Sequence, residues 1–177
     1  MKELYDKIYT DHTKSNYGHR NHGGEYIDVI RVFRKDKYPT SWLDVGCGHN
    51  ELIESLRDKR SKPYIQDALG VDFSCPGADQ KCDILGMPFP NKRWDFISAF
   101  DVLEHLSPET IPNALNEMKR VSKRFMFTID FRLCVYVIDG VNVHLTVWPR
   151  EEWAEEIQKA GGIIVKNKGK FFMGNWS

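Results

Sequence analysis

SWLDVGCGHN, residues 41 to 50, is the stretch that decides the fold. The segment from Trp42 to Val45 is apolar apart from Asp44 and predicts a buried strand. The strand then meets Gly46 and Gly48, which let the backbone approach a ligand without a Cβ in the way. Asn50 follows as a candidate cap for the next helix. A strand that leads through a glycine turn into a helix start is typical of a ligand-binding loop.

The string LDVGCGHN resembles the first motif of class I S-adenosylmethionine-dependent methyltransferases, in which an acidic residue precedes G-x-G-x-G. Asn50 stands where the third glycine is usual, and asparagine tolerates left-handed backbone better than most residues. No Lys-Ser/Thr pair follows the glycines, so a phosphate-loop nucleotide site is not indicated. The resemblance implies that Asp44, Gly46, Cys47 and Gly48 contact S-adenosylmethionine.

A second apolar strand, predicted over residues 64–71, leads to Asp72, which stands 26 positions after Gly46 (72 − 46). An acidic residue at about this distance from a glycine loop usually accepts hydrogen bonds from both ribose hydroxyls. A turn or helix-capping role is the alternative for this residue. The ribose interpretation predicts that Asp72→Ala weakens cofactor binding and leaves the fold intact.

Two later segments extend the resemblance along the chain. Asp83 and Ile84 match the family segment that holds adenine, which implies that Asp83 accepts from the adenine amino group and that Ile84 supplies an apolar contact or a backbone N–H. WDFISAFDVLEHL, residues 94–106, is similar to the segment where methyl donor and acceptor meet. The remaining cofactor contacts that the resemblance implies are Phe73, Phe100 and Asp101.

The order of the elements predicts an α/β, three-layer sandwich with a mostly parallel, Rossmann-like seven-stranded sheet and an antiparallel C-terminal hairpin. The predicted strands include residues 93–100, 125–130, 163–168 and 171–176, and helices are predicted between Gly24 and Pro39, after Asn50, after Ser107 and from Trp148 to Ala160. One domain, 1–177, is expected, with residues 1–22 as an N-terminal lid or arm. Residues 131–148 are an insertion after the fifth strand, and Asp139-Gly140 predicts a hairpin within it.

Two histidines are candidates for a catalytic base, because imidazole titrates near neutral pH. His105 closes the post-strand segment, and His144 lies in the insertion, near where this family often places acceptor-facing residues. Methyl transfer needs such a base only when the acceptor must lose a proton. A packing or surface role for His144 is the alternative.

Asp101, Glu104 and His105 permit a second interpretation. The pattern acid-x-x-acid-His resembles the metal-binding segment of small-RNA terminal 2′-O-methyltransferases and of some quinone O-methyltransferases. The same string is common in family members that use no metal, and this chain has Asp at the first position. We therefore predict no metal site.

Composition narrows the classes of partner. Lys plus Arg and Asp plus Glu both number 25, so the formal charge is zero and broad nucleic-acid binding is disfavoured. The pairs Lys119-Arg120 and Lys123-Arg124 are interpreted as a solvated helix end. Four cysteines without a C-x-x-C pair are typical of free thiols in a reducing cytoplasm. No signal peptide and no membrane span are predicted.

The sequence thus predicts a cytoplasmic methyltransferase that uses S-adenosylmethionine and modifies an oxygen or nitrogen of a small or exposed acceptor of unknown identity. One alternative is a metal-assisted RNA 2′-O-methyltransferase. The other is a non-catalytic member of the fold that binds the cofactor or a protein partner.

Overall fold

The computed structural model describes residues 38–60 and 64–177. Seven strands form a mostly parallel sheet that ends in an antiparallel pair, and helices accompany them. The predicted α/β, Rossmann-like fold class is therefore confirmed. The chain divides into two compact units, Met1–Asp83 and Ile84–Ser177.

The first unit contains the glycine loop between parallel strands. Its described elements are β1 (Ser41–Val45), α1 (Glu51–Arg57), β2 (Asp67–Asp72) and β3 (Gln80–Lys81). β2 lies between β1 and β3 and pairs parallel with both. Every residue of β1 is buried, as is usual for a strand of a parallel sheet that is covered on both faces.

The second unit carries both parallel and antiparallel strands. Its elements are β4 (Phe96–Phe100), α2 (Ile111–Val121), β5 (Arg124–Thr128), β6 (Val137–Ile138), β7 (Val141–Asn142), α3 (Arg150–Lys159), β8 (Gly162–Lys168) and β9 (Phe171–Trp176). β4 pairs parallel with β5, and β9 runs antiparallel to both β5 and β8. The predicted C-terminal hairpin is present.

The predicted hairpin inside the insertion is also present. β6 and β7 pair antiparallel, with Ile138 opposite Val141. The two residues between them, Asp139 and Gly140, have φ angles of 52° and 80°. Positive φ at both central positions is the conformation of a type I′ turn, which an Asp-Gly pair favours.

Some predicted boundaries differ from the structure. β2 begins at Asp67 rather than at Tyr64, because the backbone N–H of Ile65 donates to the Leu56 carbonyl and ties this stretch to the end of α1. β4 begins at Phe96 rather than Arg93, since Trp94 makes only an isolated bridge to Ser122.

The N-terminal part of the chain, including the predicted arm (residues 1–22), lies outside the described residues. The same holds for the body of the helix predicted between Gly24 and Pro39. Both remain predictions.

Candidate functional site

The glycine loop turns sharply at the end of β1. Gly46 and Gly48 have φ angles of 70° and 54°, in the left-handed region where a side chain is unfavourable. The backbone N–H groups of Gly46 and Cys47 both donate to the Val71 carbonyl, at 2.8 and 3.1 Å. The loop is therefore fixed to β2 before α1 begins.

The Asp72 carboxylate lies directly beneath this loop. Oδ2 accepts from the N–H of Gly48 at 3.1 Å, and Oδ1 accepts from the N–H groups of Ser74 and Cys75 at 2.9 and 2.8 Å. The residue is buried. A carboxylate offers about four lone-pair directions, so three backbone donors leave it about one further acceptor direction. Its predicted contact with ribose remains a prediction.

Asn50 stands at the N-cap position of α1, but its side chain makes no capping hydrogen bond. The predicted capping contact is therefore wrong. The residue has φ 68°, the left-handed conformation that asparagine tolerates. Its side chain is buried close to the Asp79 carboxylate, and its Oδ1 atom has no hydrogen-bond partner among the described residues. The left-handed backbone turns the amide away from the first turn of the helix.

Two further predicted cofactor residues occupy the base of the loop. Asp44 is buried in β1, opposite Gly70 of β2. Burial, together with the negative charges of Asp44 and Asp72, raises the pKa of the Cys47 thiol far above its usual range. Cys47 therefore keeps its proton at neutral pH, and its thiol is not a nucleophile.

The other predicted cofactor residues are in different surroundings. Phe73 is half-buried directly after β2, and Asp83 is exposed two residues after β3. Ile84 is buried, as is Phe100 at the last position of β4. Their predicted contacts with the adenosine part of the cofactor remain predictions.

Asp101 follows β4 in an unusual backbone conformation. Its φ is 52°, and its N–H donates to the Thr128 carbonyl at 2.9 Å. The Thr128 hydroxyl donates in turn to Asp101 Oδ1 at 3.1 Å. Non-glycine residues with positive φ concentrate at functional sites, where surrounding contacts hold them. Sequence reasoning selected Asp101 but not Thr128, although Thr128 ends the neighbouring parallel strand at the same edge of the sheet.

Glu104 is fully buried close to Asp101. Its Oε1 atom accepts from the N–H of Asp130 at 2.8 Å, whereas Oε2 has no hydrogen-bond partner among the described residues. Burial, with the negative charge of Asp101 as the next cause, raises the pKa of Glu104 to about 8. The side chain is therefore predominantly protonated at neutral pH.

The insertion brings His144 next to His105. The N–H of Thr146 donates to the Glu104 carbonyl at 3.0 Å, which anchors the insertion to the segment after β4. The two imidazole rings meet edge to face, with centroids 4.8 Å apart. His105 Nδ1 lies 2.8 Å from the Val143 carbonyl oxygen, and His144 Nδ1 lies 2.6 Å from the carbonyl oxygen of Arg132.

These contacts set the tautomer of both rings. A carbonyl oxygen only accepts, so Nδ1 carries the hydrogen in each ring, and in a neutral ring the lone pair is then on Nε2. Burial lowers the pKa of His105 to about 4, although its hydrogen bond to Val143 acts in the opposite direction. His105 is therefore neutral at physiological pH.

Asp130 is a further charged residue that sequence reasoning missed. Its carboxylate pairs with Lys170 and with Arg132, whose Nε lies 3.1 Å from Oδ1. Partial burial would raise the pKa of Asp130, but hydrogen bonds from Arg132 and Lys170 outweigh it and hold the pKa below its usual range. The feature of the sequence that could have identified Asp130 is its position two residues after β5.

The residues on which the metal and RNA alternatives depend have other contacts. Among residues 38–60 and 64–177, no three His, Cys, Asp or Glu side chains are arranged to hold a metal ion. Arg120 bonds to Glu117 and to the carbonyls of Met87 and Phe89, and Lys123 pairs with Asp95. Within the same part of the chain, no helix is long and apolar enough to span a membrane.

Comparisons with known proteins identify the family. The methyltransferase domain family matches residues 17–161. A comparison with curated protein sequences gives no significant match. A SAM-dependent methyltransferase from Thermotoga maritima has a similar structure, with a TM-score of 0.65, 13% identity and full coverage of both chains.

Two other solved structures share the fold. Haemonchus contortus phosphoethanolamine N-methyltransferase 2, solved with phosphomonomethylethanolamine and S-adenosylhomocysteine, gives a TM-score of 0.66 and 13% identity over 92% of this chain and 44% of that chain. The [4+2]-cyclase SpnF gives 0.61 and 22% identity over 80% of this chain and 58% of that chain. Likenesses at this identity establish the fold, whereas the family match covers most of the sequence. The chain belongs to the methyltransferase domain family and is a class I, SAM-dependent methyltransferase.

Proposed function

We propose that this protein transfers the methyl group of S-adenosylmethionine to an oxygen or nitrogen of a small or exposed acceptor. The observation that carries the proposal is the His105–His144 pair, in which Nδ1 of each ring is hydrogen-bonded to a backbone carbonyl. This arrangement leaves the Nε2 lone pair of a neutral His144 to accept a proton from an acceptor. The family supports the use of S-adenosylmethionine as the methyl donor.

The cofactor is proposed to bind at the glycine loop of the first unit. Gly46 and Gly48 allow close approach of the backbone, and the remaining acceptor direction of Asp72 suits a ribose hydroxyl. Asp44 and Cys47, at the same loop, are further proposed contacts. In the same unit, Phe73 is proposed to supply apolar surface and Asp83 a hydrogen-bond acceptor.

The proposed reaction is an in-line displacement. An acceptor lone pair forms a bond to the methyl carbon while the carbon–sulfur bond breaks, and S-adenosylhomocysteine leaves with the electron pair. The proton that the acceptor loses passes to Nε2 of His144. Much of the acceleration would come from holding the acceptor and methyl group in line, and the base would add to it.

His144 is a better candidate base than His105. A ring whose pKa is lowered to about 4 holds a proton weakly at neutral pH, which limits His105 as a proton acceptor. His105 is therefore proposed to orient its neighbour through the edge-to-face ring contact.

Binding of S-adenosylhomocysteine and S-adenosylmethionine, measured by isothermal titration calorimetry, tests the cofactor part. No heat at millimolar ligand would overturn it. Mass spectrometry of small molecules and RNA incubated with the protein and methyl-labelled cofactor then tests turnover. Cofactor binding without any labelled product would favour the non-catalytic alternative.

A further inference from the structure

The start of α1 packs on β2 in an unusual way. In dinucleotide-binding loops of the G-x-G-x-x-G kind, a glycine at the helix start allows close packing of helix and strand. Here the helix start carries Asn50, and the glycine is on the strand. A Cβ added to Gly70 would lie 1.8 Å from Asn50 Oδ1 and 2.9 Å from Cys47 Sγ. Asn50 thus occupies the space that Gly70 leaves.

The same asparagine lies beside a hydrogen-bond network around Asp79. The Asp79 carboxylate accepts from the N–H of Gly70 at 2.9 Å and from two nitrogens of Arg57, both at 2.9 Å. The Asn50 side chain lies close to the same carboxylate. Arg57 Nε donates to the Ala68 carbonyl at 3.0 Å, so the network connects both ends of α1 with β2.

The network connects the glycine loop with the strand that carries Asp72, and both are proposed to contact the cofactor. Asn50 lies two residues after Gly48, whose N–H donates to Asp72. Gly70 lies two residues before Asp72 on the same strand. A link from Asn50 through Asp79 to Gly70 therefore limits how far the glycine loop can move relative to the strand that carries Asp72.

We propose that Asn50 is a positioning residue of the cofactor site, which holds the Gly48 backbone against Asp72 by filling the space over Gly70 and donating to Asp79. The inference rests on the proposed cofactor site. Loop geometry and ligand affinity are separable readouts, because the Gly48–Asp72 hydrogen bond exists without ligand.

The first experiment exchanges the amide of Asn50 and the carboxylate of Asp79. N50D keeps the shape and the tolerance for left-handed backbone, but it removes the donor and sets a second carboxylate against Asp79. N50D/D79N restores one amide and one carboxylate in swapped positions. D58N, which changes an acid that pairs with exposed Arg60, is the matched control for loss of a carboxylate in the same unit.

Amide hydrogen exchange of the ligand-free proteins and titration with S-adenosylhomocysteine are measured for each variant. N50D is expected to speed exchange at Gly48 and to weaken binding by about tenfold, and N50D/D79N is expected to recover much of both. Unchanged exchange in N50D, or no recovery in the swapped variant, would overturn the inference. A wild-type protein that binds no ligand would refute the cofactor proposal, while the exchange data would still decide the role of Asn50.

A double-mutant cycle covers the case in which N50D does not fold. G70A should strongly lower the unfolding midpoint, because the new Cβ collides with Asn50. In the N50G background the Asn50 atoms are absent and only the close contact with Cys47 Sγ remains, so G70A should cost less. Additive effects of N50G and G70A would contradict the proposed complementarity of the two positions.

Discussion

The backbone N–H of Gly48 donates to Asp72 Oδ2 at 3.1 Å, across 24 positions of sequence. Two residues selected separately as cofactor contacts are therefore in direct contact with each other. The same carboxylate accepts from the N–H groups of Ser74 and Cys75. Asp72 consequently stabilises the loop and the turn after β2 in the ligand-free protein, besides its proposed contact with ribose.

Asp72→Ala is expected to weaken S-adenosylhomocysteine binding by about tenfold or more and also to destabilise the protein. The sequence alone predicted an effect on binding with an intact fold. The structure adds three backbone donors that would lose their acceptor, at about 1–3 kcal/mol for each that stays buried without a partner. Calorimetric titration and urea unfolding measure the two effects separately.

Asp72→Asn is the companion variant for this test. Its amide oxygen can still accept from Ser74 and Cys75, so it should unfold at a urea concentration closer to that of the wild type. Its amide nitrogen would face the Gly48 N–H and cannot accept from it. If both variants bind ligand with the wild-type dissociation constant, Asp72 is only a turn residue.

Local patterns explain why much of the fold was predictable. The Asp139-Gly140 turn has a conformation that few residue pairs adopt easily, and the structure has that turn. β4 and β9 were recognisable from apolar runs of strand length. The start of β2 was not, because it depends on the hydrogen bond between Ile65 and Leu56 rather than on any property of Tyr64.

The parts of the site that sequence reasoning missed depend on contacts between distant residues. The sequence predicted that Asn50 caps a helix. In the structure its amide instead occupies the space that the missing side chain of Gly70 leaves. Glu104 and Asp130 are 26 positions apart, and no periodicity predicts their contact. His144 was selected for its position in the insertion, but its packing against His105 follows from the contact between Thr146 and Glu104.

Glu104 should make the stability of the protein depend on pH. Its pKa rises from an ordinary 4.5 to about 8 in the folded chain, so the folded chain retains a proton that the unfolded chain releases. This contribution is complete below pH 4.5 and is lost as the pH rises through 8. His105 acts in the opposite direction, since its pKa falls from 6.5 to about 4, and its contribution is lost as the pH drops through that range.

Between pH 6.5 and 8 the decline from Glu104 exceeds the small remaining gain from His105, so the free energy of unfolding should fall by about 1–2 kcal/mol. Glu104→Gln keeps an oxygen for the Asp130 N–H and cannot titrate, so it should flatten this decline. Glu104→Ala also removes the acceptor and should be less stable at every pH. Urea unfolding at several pH values measures all three, and an equal decline in wild type and Glu104→Gln would contradict the assignment.

His144→Asn tests the proposed base. The Asn amide nitrogen can take the place of Nδ1 and donate to the Arg132 carbonyl, so the variant removes the Nε2 lone pair with little change in packing. We expect kcat to fall by about 10²–10⁴-fold with a small change in KM, because general-base catalysis typically contributes that much. Steady-state kinetics with an acceptor from the mass-spectrometric screen gives both constants.

Added imidazole should restore part of the activity of His144→Asn, and His105→Asn provides the comparison. His105 contacts the His144 ring but is not the proposed proton acceptor, so its loss should be smaller and not rescued by imidazole. An unchanged kcat in His144→Asn would show that the acceptor loses its proton without help from this position.

The last prediction concerns metal dependence: methyl transfer should survive excess EDTA. The three residues of the acid-x-x-acid-His pattern already have protein partners. Asp101 Oδ1 accepts from Thr128, Glu104 Oε1 accepts from the Asp130 N–H, and His105 Nδ1 donates to the Val143 carbonyl. A protonated Glu104 is also a poor ligand, since metal ions bind the ionised carboxylate.

Activity abolished by EDTA and restored by Mg²⁺, Mn²⁺ or Co²⁺ would contradict this prediction and favour a metal-assisted 2′-O-methyltransferase. Glu104→Gln sharpens the comparison, because it should retain activity if Glu104 only supports Asp130 and lose it if Glu104 binds a metal.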